Sequence, residues 1–278
     1  MNQPISSSTT TQPTPVDVGY GRHRALHNVI RSEFAKFFTV RSTYWLLASA
    51  IVFTIGIAAA LAIFIPGALS AEDVAQVDPT RLSQGGIHLS QICFGVLGAL
   101  VVTSEYSTGA IRTTLAAVPQ RRRLLVAKVI VFTTTTFLLG TASSFIAFLT
   151  FQTFLTGDEL SATLSDPGVL RAVFGGGLYV TVLGLLGLGL GATIRASTGA
   201  IATLFGVLFV PPLLIGLLPP TWQNTVRPYV PMEAGSQIFI ADNNDPSSLD
   251  PGVGFVVFVL YAAIALTMGL ILIRRRDA

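Results

Sequence analysis

The stretch YWLLASAIVFTIGIAAALAIFI, residues 44–65, decides the fold class. It holds no charged residue and is closed by Pro66-Gly67. About 20 apolar residues in a helix cross the hydrocarbon core of a bilayer, so this run is long enough to span one. Five more uncharged runs of similar length follow: Leu82–Thr103, Val129–Thr156, Ala172–Ile194, Ala196–Leu218 and Gly252–Ile273. The fold expected is all-α and membrane-integral, with six transmembrane helices in a domain over residues 44–278.

Composition agrees. The 278 residues are 51% hydrophobic and 11% charged, whereas a soluble domain carries about 25% charged residues to face water. The formal net charge is +3. Its basic residues lie between apolar runs and not on one solvated face, which argues against nucleic acid as a partner and for membrane lipid. The lone cysteine, Cys93, excludes an intramolecular disulfide and reads as a packing residue. His23, His27 and His88 have no zinc-site spacing, and no serine pairs with a histidine, so neither catalytic residues nor a metal site are expected. Asp242-Asn243-Asn244-Asp245 lacks the glycine and distal glutamate of a calcium loop and reads as a polar turn. Residues 1–21, rich in Ser, Thr, Gln and Pro, read as a disordered tail without signal-peptide features.

Orientation follows from the flanking Lys and Arg. With the N-terminus inside, 14 basic residues fall inside (Arg22, Arg24, Arg31, Lys36, Arg41, Arg112, Arg121, Arg122, Arg123, Lys128, Arg195 and Arg274 to Arg276). Only Arg81, Arg171 and Arg227 fall outside. Both termini are therefore expected in the cytoplasm. No ionisable residue sits mid-span, which disfavours an ion-coupled pump. Gly187 and Gly191 form a small-xxx-small pair suited to close helix packing, and Pro211-Pro212 is expected to bend or break the fifth span.

Two inner segments stand out. Residues 22–43 carry Leu26, Ile30, Phe34, Phe37 and Phe38 at helical spacing, the pattern of an amphipathic helix in the membrane interface. It either steadies the first span or offers Arg31, Glu33 and Lys36 to a cytoplasmic partner. In the loop 104–128, Thr108 or Ser107 is positioned to cap a helix from Gly109 to Ala117, stopped by Pro119. Ile111 and Leu115 share a face of that helix, suited to a groove on another protein. The outer segment 219–251 is too long for a turn; it either re-enters the outer leaflet or makes a surface excursion.

The loop Glu105-Tyr106-Ser107-Thr108-Gly109-Ala110-Ile111-Arg112-Thr113-Thr114-Leu115, then Pro119 and Arg121-Arg122-Arg123, resembles the intracellular loop of bacterial type-2 ABC exporter permeases. Ser32-Glu33-Phe34-x-Lys36 with Arg41-Ser42-x-x-Trp45 resembles that family's connecting helix. Pro228-Tyr229-Val230-Pro231 with Ala234-Gly235 resembles its outer element, and the Arg274-Arg275-Arg276 ending is common there. The resemblance implies a multi-pass subunit of the bacterial cytoplasmic membrane that moves an apolar or amphipathic solute outward. It further implies a second permease copy as a homodimer and two cytoplasmic ABC ATPase subunits that hold ATP and Mg. The ATPase-coupling residues implied are Glu105, Tyr106, Thr108, Gly109, Ile111, Arg112, Thr113, Leu115, Arg121, Arg122 and Arg123. Arg31, Glu33, Phe34, Lys36 and Arg41 would belong to the connecting helix. A solute path would run near Phe94, Leu97, Leu204 and Leu208. The chain has no G-x-x-x-x-G-K-[ST] phosphate loop, so ATP hydrolysis is expected in the partner and this chain is not expected to be an enzyme. The alternative reading is a non-transporting membrane anchor or sensor partner of an ATPase.

Overall fold

A computed structural model describes residues 21–65, 78–117, 120–154, 161–242 and 247–275, with backbone alone at 21–26, 112, 115–117, 121 and 274–275. Every regular element among the described residues is helical. In chain order these are α1 (Gly21–Phe37), α2 (Arg41–Phe64), α3 (Pro79–Ser83), α4 (Ile87–Ser107), α5 (Ala110–Ala117), α6 (Arg121–Phe154), α7 (Val169–Ile194), α8 (Ser197–Ile215), α9 (Pro220–Val226), α10 (Pro231–Ser236) and α11 (Pro251–Arg275). Six of them, α2, α4, α6, α7, α8 and α11, are long and apolar enough to cross a membrane.

Several boundaries differ from the sequence reading; residues 22–43 are not one helix, because α1 ends at Phe37 and Arg41 opens α2. The run from Leu82 is not one helix, because α3 ends at Ser83 and α4 starts at Ile87. Between them, the fully buried Gln84 is held by α6: Ser144 Oγ lies 2.7 Å from Gln84 Oε1, and Gln84 Nε2 donates to Ser144 O at 3.4 Å. A buried amide must be paired, and this pairing anchors the turn. Asp78 closes the start of α3, its carboxylate accepting from Thr80 N at 2.8 Å with Pro79 at the first helical position.

The third span begins two turns earlier than Val129, so Arg122, Arg123 and Lys128 belong to a helix and not to a loop. Leu124, Leu125 and Ala127 are buried, and their packing extends the helix to 34 residues. At 1.5 Å per residue it is about 51 Å long, more than the roughly 30 Å core of a bilayer. The fifth span continues through Pro211-Pro212 and ends at Ile215, short of Leu218; the expected break is not there.

The helix α7 is the centre of the bundle. Of its apolar stretch 78% is buried, against 22% for α8 and 28% for α2 and α11. A helix apolar on all sides belongs in the middle. It packs closest on α4, where a Cβ on Gly98 would overlap Gly184 O and one on Gly187 would overlap Gly95 O. Gly191 faces Ala99 of α4, so the small-residue pair serves an internal contact.

After α8 the segment 219–251 divides in two. Helix α9 is exposed, with Trp222 on it. Helix α10 and the 3-10 turn Gln237–Phe239 are buried against α7 and α11. Tyr179 of α7 stacks on Phe258 of α11 at 5.1 Å between ring centroids and meets Phe239 edge-on at 5.0 Å. Its hydroxyl donates to Gln91 Oε1 of α4 at 2.5 Å. Tyr179 lies about 15 Å along α7 from Val169 by helical rise, so this segment descends well inside the helix ends. Non-helical backbone at that depth needs protein around it. Arg171 supplies part of that, donating to Ile240 O and Ala241 O at 3.0 Å each. Residues 1–20, Pro66, Gly67, Pro119, Asn243 to Asp245 and Arg276 lie outside the described residues.

Candidate functional site: a charged junction at the basic end

Four ionisable side chains meet where α1, α4 and α6 converge. Lys128 of α6 donates to Glu33 Oε2 of α1 at 2.7 Å and to Glu105 Oε1 of α4 at 2.8 Å. Lys36 of α1 donates to Glu33 Oε1 at 2.7 Å, to Glu105 Oε1 at 3.4 Å and to Thr114 Oγ1 of α5 at 3.3 Å. Lys128 is 6% exposed and Glu33 4%, so their pairing is shut off from water. Desolvating such charges costs several kcal/mol per ion, and only close, multiple contacts offset it. Here one lysine bridges both carboxylates, which ties three helices through a single ammonium.

This corrects the reading of α1. Glu33 does not lie on a solvent face for a partner; it shares the inward face with Val29 and Phe37, four residues to either side. Arg31 and Arg41 are exposed, Phe34 is 51% exposed, and Leu26 lies outside the described side chains. Burial alone would lower the Lys36 pKa, but the Glu33 carboxylate, with Glu105 behind it, outweighs that and holds it above the ordinary lysine value. Glu105 is asymmetric. Both lysines use its Oε1, while the buried Oε2 has no hydrogen-bond partner, a penalty of about 1–3 kcal/mol.

The helix α5 hangs from this junction. Gly109 takes φ +71°, and a Cβ there would meet nothing within 4 Å, so its role is conformational. The expected caps act otherwise: the Ser107 and Thr108 hydroxyls both donate back to Ser104 O, at 3.0 and 2.8 Å, and finish α4. Ile111 is also corrected. It packs on Val29, Leu124 and Ala127 of α1 and α6, not on an outward face. Thr113 is exposed, while Thr114 is the residue Lys36 holds. Arg122 is exposed and Arg123 half-buried; the side chains of Arg112, Leu115 and Arg121 lie outside the description. Tyr106 packs under Arg195, whose guanidinium carbon is 5.1 Å from the ring centroid. Arg195 ends α7 with φ 64° and donates to Leu272 O of α11 at 3.3 Å.

A cavity of about 430 Å³ opens beside the junction, bordered by Lys36, Thr43, Leu97, Glu105, Thr113 and Val131 among others. That is the size of a small-molecule pocket, about 300–1,000 Å³. Of the residues expected along a solute path, Leu97 borders this cavity. Phe94, Leu204 and Leu208 are buried in the core.

The Glu33–Lys128 pair was missed from sequence. Its signal was present: Glu33 falls at apolar spacing between Val29 and Phe37, and Lys128 sits among Leu124, Leu125, Ala127 and Val131. A charge at a core position of a helical stripe needs a partner, and each supplies the other's. In comparisons with known proteins, no family model matches the chain and no curated protein matches it.

Proposed function

We propose that this chain is the transmembrane permease subunit of an ATP-driven exporter of the bacterial cytoplasmic membrane. Its basic end and both termini face the cytoplasm, and it works as a homodimer with two ATPase subunits that bind ATP and Mg. The solute is apolar or amphipathic, in keeping with spans that carry no mid-membrane charge.

The observation that carries this reading is the suspension of α5. Its inner side is tied to the bundle by Ile111 and by Lys36–Thr114, while Thr113 is exposed. A displacement of α5 is passed to α1 through Lys36, and from there to α4 and α6 through Glu105 and Lys128. Helices α4 and α6, which both line the cavity, are thereby moved by one lever. Charge pairs suit this role, because they exchange partners over a few tenths of an ångström, whereas interlocked apolar side chains resist sliding.

The test is reconstitution of the chain with an ATPase encoded beside it. The expected result is co-purification of the two and ATP-dependent flux of an amphipathic dye in proteoliposomes. Hydrolysis indifferent to solute, with no flux, would instead mark a membrane anchor for the ATPase.

A further inference from the structure

A second cavity, of about 240 Å³, lies at the end of the bundle opposite the charged junction. Helix α4 joins the two. His88 in its first turn borders this cavity, and Glu105 of the same helix, about 25 Å away by helical rise, belongs to the junction. Arg81, Arg227 and Glu233 also border the cavity, and Met232 and Phe239 supply apolar surface. The backbone under Arg81 is fixed, because α3 is capped at its start by Asp78 and runs at its end into the buried Gln84 that Ser144 holds. The guanidinium is exposed and makes no hydrogen bond or ion pair with a described residue. An arginine carries five N–H donors in a planar fork, so a full set is uncommitted at this edge.

The other two charges cancel. Arg227 Nε and Nη2 both donate to Glu233 Oε1 at 3.3 Å. That leaves one formal positive charge among the described lining residues, on Arg81. Arg81 and Glu233 both act electrostatically on His88, which places the imidazole near each of them. Its ring meets Phe239 edge-on at 5.8 Å between centroids, and its nitrogens make no hydrogen bond with a described residue. Apolar surface with a few convergent polar groups is the general form of a small-molecule site, and a volume under the usual 300–1,000 Å³ or so calls for a small ligand. A carboxylate brings one negative charge and two oxygens spaced for the guanidinium fork, a closer match than a phosphate group of about −1.5 to −2. We infer that this cavity binds a small organic carboxylate, its oxygens on the Arg81 fork and an N–H of His88, its apolar part against Phe239 and Met232. The inference requires neither an ATPase partner nor a direction of transport.

Benzoate is the probe, with benzamide as its uncharged counterpart and inorganic phosphate as an anion without an apolar part. The purified full chain, in an uncharged detergent and a buffer free of carboxylate and phosphate, is titrated with each and followed by isothermal titration calorimetry. One benzoate per chain is expected, with benzamide and inorganic phosphate weaker by about tenfold or more. Arg81→Gln, at an exposed position, removes charge-assisted hydrogen bonds and is expected to weaken benzoate about 10- to 100-fold. Glu233→Gln acts in the opposite direction. It removes the carboxylate and releases Arg227 as a second cation, so benzoate is expected to bind several-fold more tightly. A cavity that merely collapsed on substitution would not tighten, and the melting temperature of each variant is measured alongside. Benzamide binding as tightly as benzoate, Arg81→Gln binding unchanged, Glu233→Gln binding more weakly, or no binding of benzoate to the wild-type chain would each overturn the inference. Inorganic phosphate binding as tightly as benzoate would overturn it in favour of a site for inorganic anions.

Discussion

At the basic end, Glu33, Lys36, Glu105 and Lys128 hold α1, α4, α5 and α6 together through a few charged contacts. At the opposite end, Tyr179, Phe239 and Phe258 hold the α10 segment against α7 and α11 by stacked rings, and Arg171 adds hydrogen bonds to backbone carbonyls. The first closure is directional and carries an oxygen without a partner; the second is dry and densely interlocked. A junction of the first kind can re-pair and so transmit motion, while the second keeps its geometry. Under the proposed transport cycle, movement belongs to the basic end and rigidity to the far one.

The contrast is broken most strongly at Lys128. Lys128→Met removes the buried cation between Glu33 and Glu105 and leaves them only the half-exposed Lys36, and a loss of about 3–5 kcal/mol in unfolding free energy is expected. Denaturant melts in detergent measure it, and a near-neutral result would mean that the network carries little stability. At the far end, Tyr179→Phe keeps the ring contacts and removes the bond to Gln91. The expected loss is about 1–3 kcal/mol, that of one buried partner left unsatisfied, with the fold of α10 retained. Next comes Gly109→Ala, which meets no obstacle but forces an alanine into left-handed backbone. It is expected to cost about 1–2 kcal/mol and to loosen α5 selectively in hydrogen exchange, while α10 stays protected.

The smallest effect is expected from pH. Because the folded Lys36 pKa is raised, its stabilising contribution is complete below the unfolded value of 10.5 and is lost as pH rises through the folded value. With Lys36 partly exposed, the change is modest, as for other solvent-accessible ion pairs. The protection of α5, hydrogen exchange relative to its base-catalysed intrinsic rate, should therefore fall above about pH 10.5 in the wild-type chain, and that fall should be absent in Lys36→Met.

Much of the architecture was legible in the sequence, since a run of uncharged residues long enough for a bilayer has few other uses. The boundaries at Leu82 and Val129 were not. Gln84 looks like an ordinary polar residue in an apolar run until Ser144, 60 positions away, is seen to hold it. Arg121 to Lys128 reads as a loop by charge, and is helix because Leu124, Leu125 and Ala127 pack on one side. The loop helix was readable from its glycine and its spacing. Its inward face was not, because Ile111 is buried by Val29 and Leu124, which belong to other helices. Glu33 and Lys128 are 95 positions apart, and local periodicity cannot join them.

The lever is tested most directly at its free side. Thr113 is exposed and also borders the cavity, so Thr113→Trp obstructs whatever docks on α5, and the melting temperature shows whether the junction is left intact. In proteoliposomes holding the chain and the proposed ATPase partner, Thr113→Trp is expected to abolish ATP-driven flux of the dye with the melting temperature unchanged. Flux equal to that of the wild-type chain, or flux that persists without ATP, would contradict it.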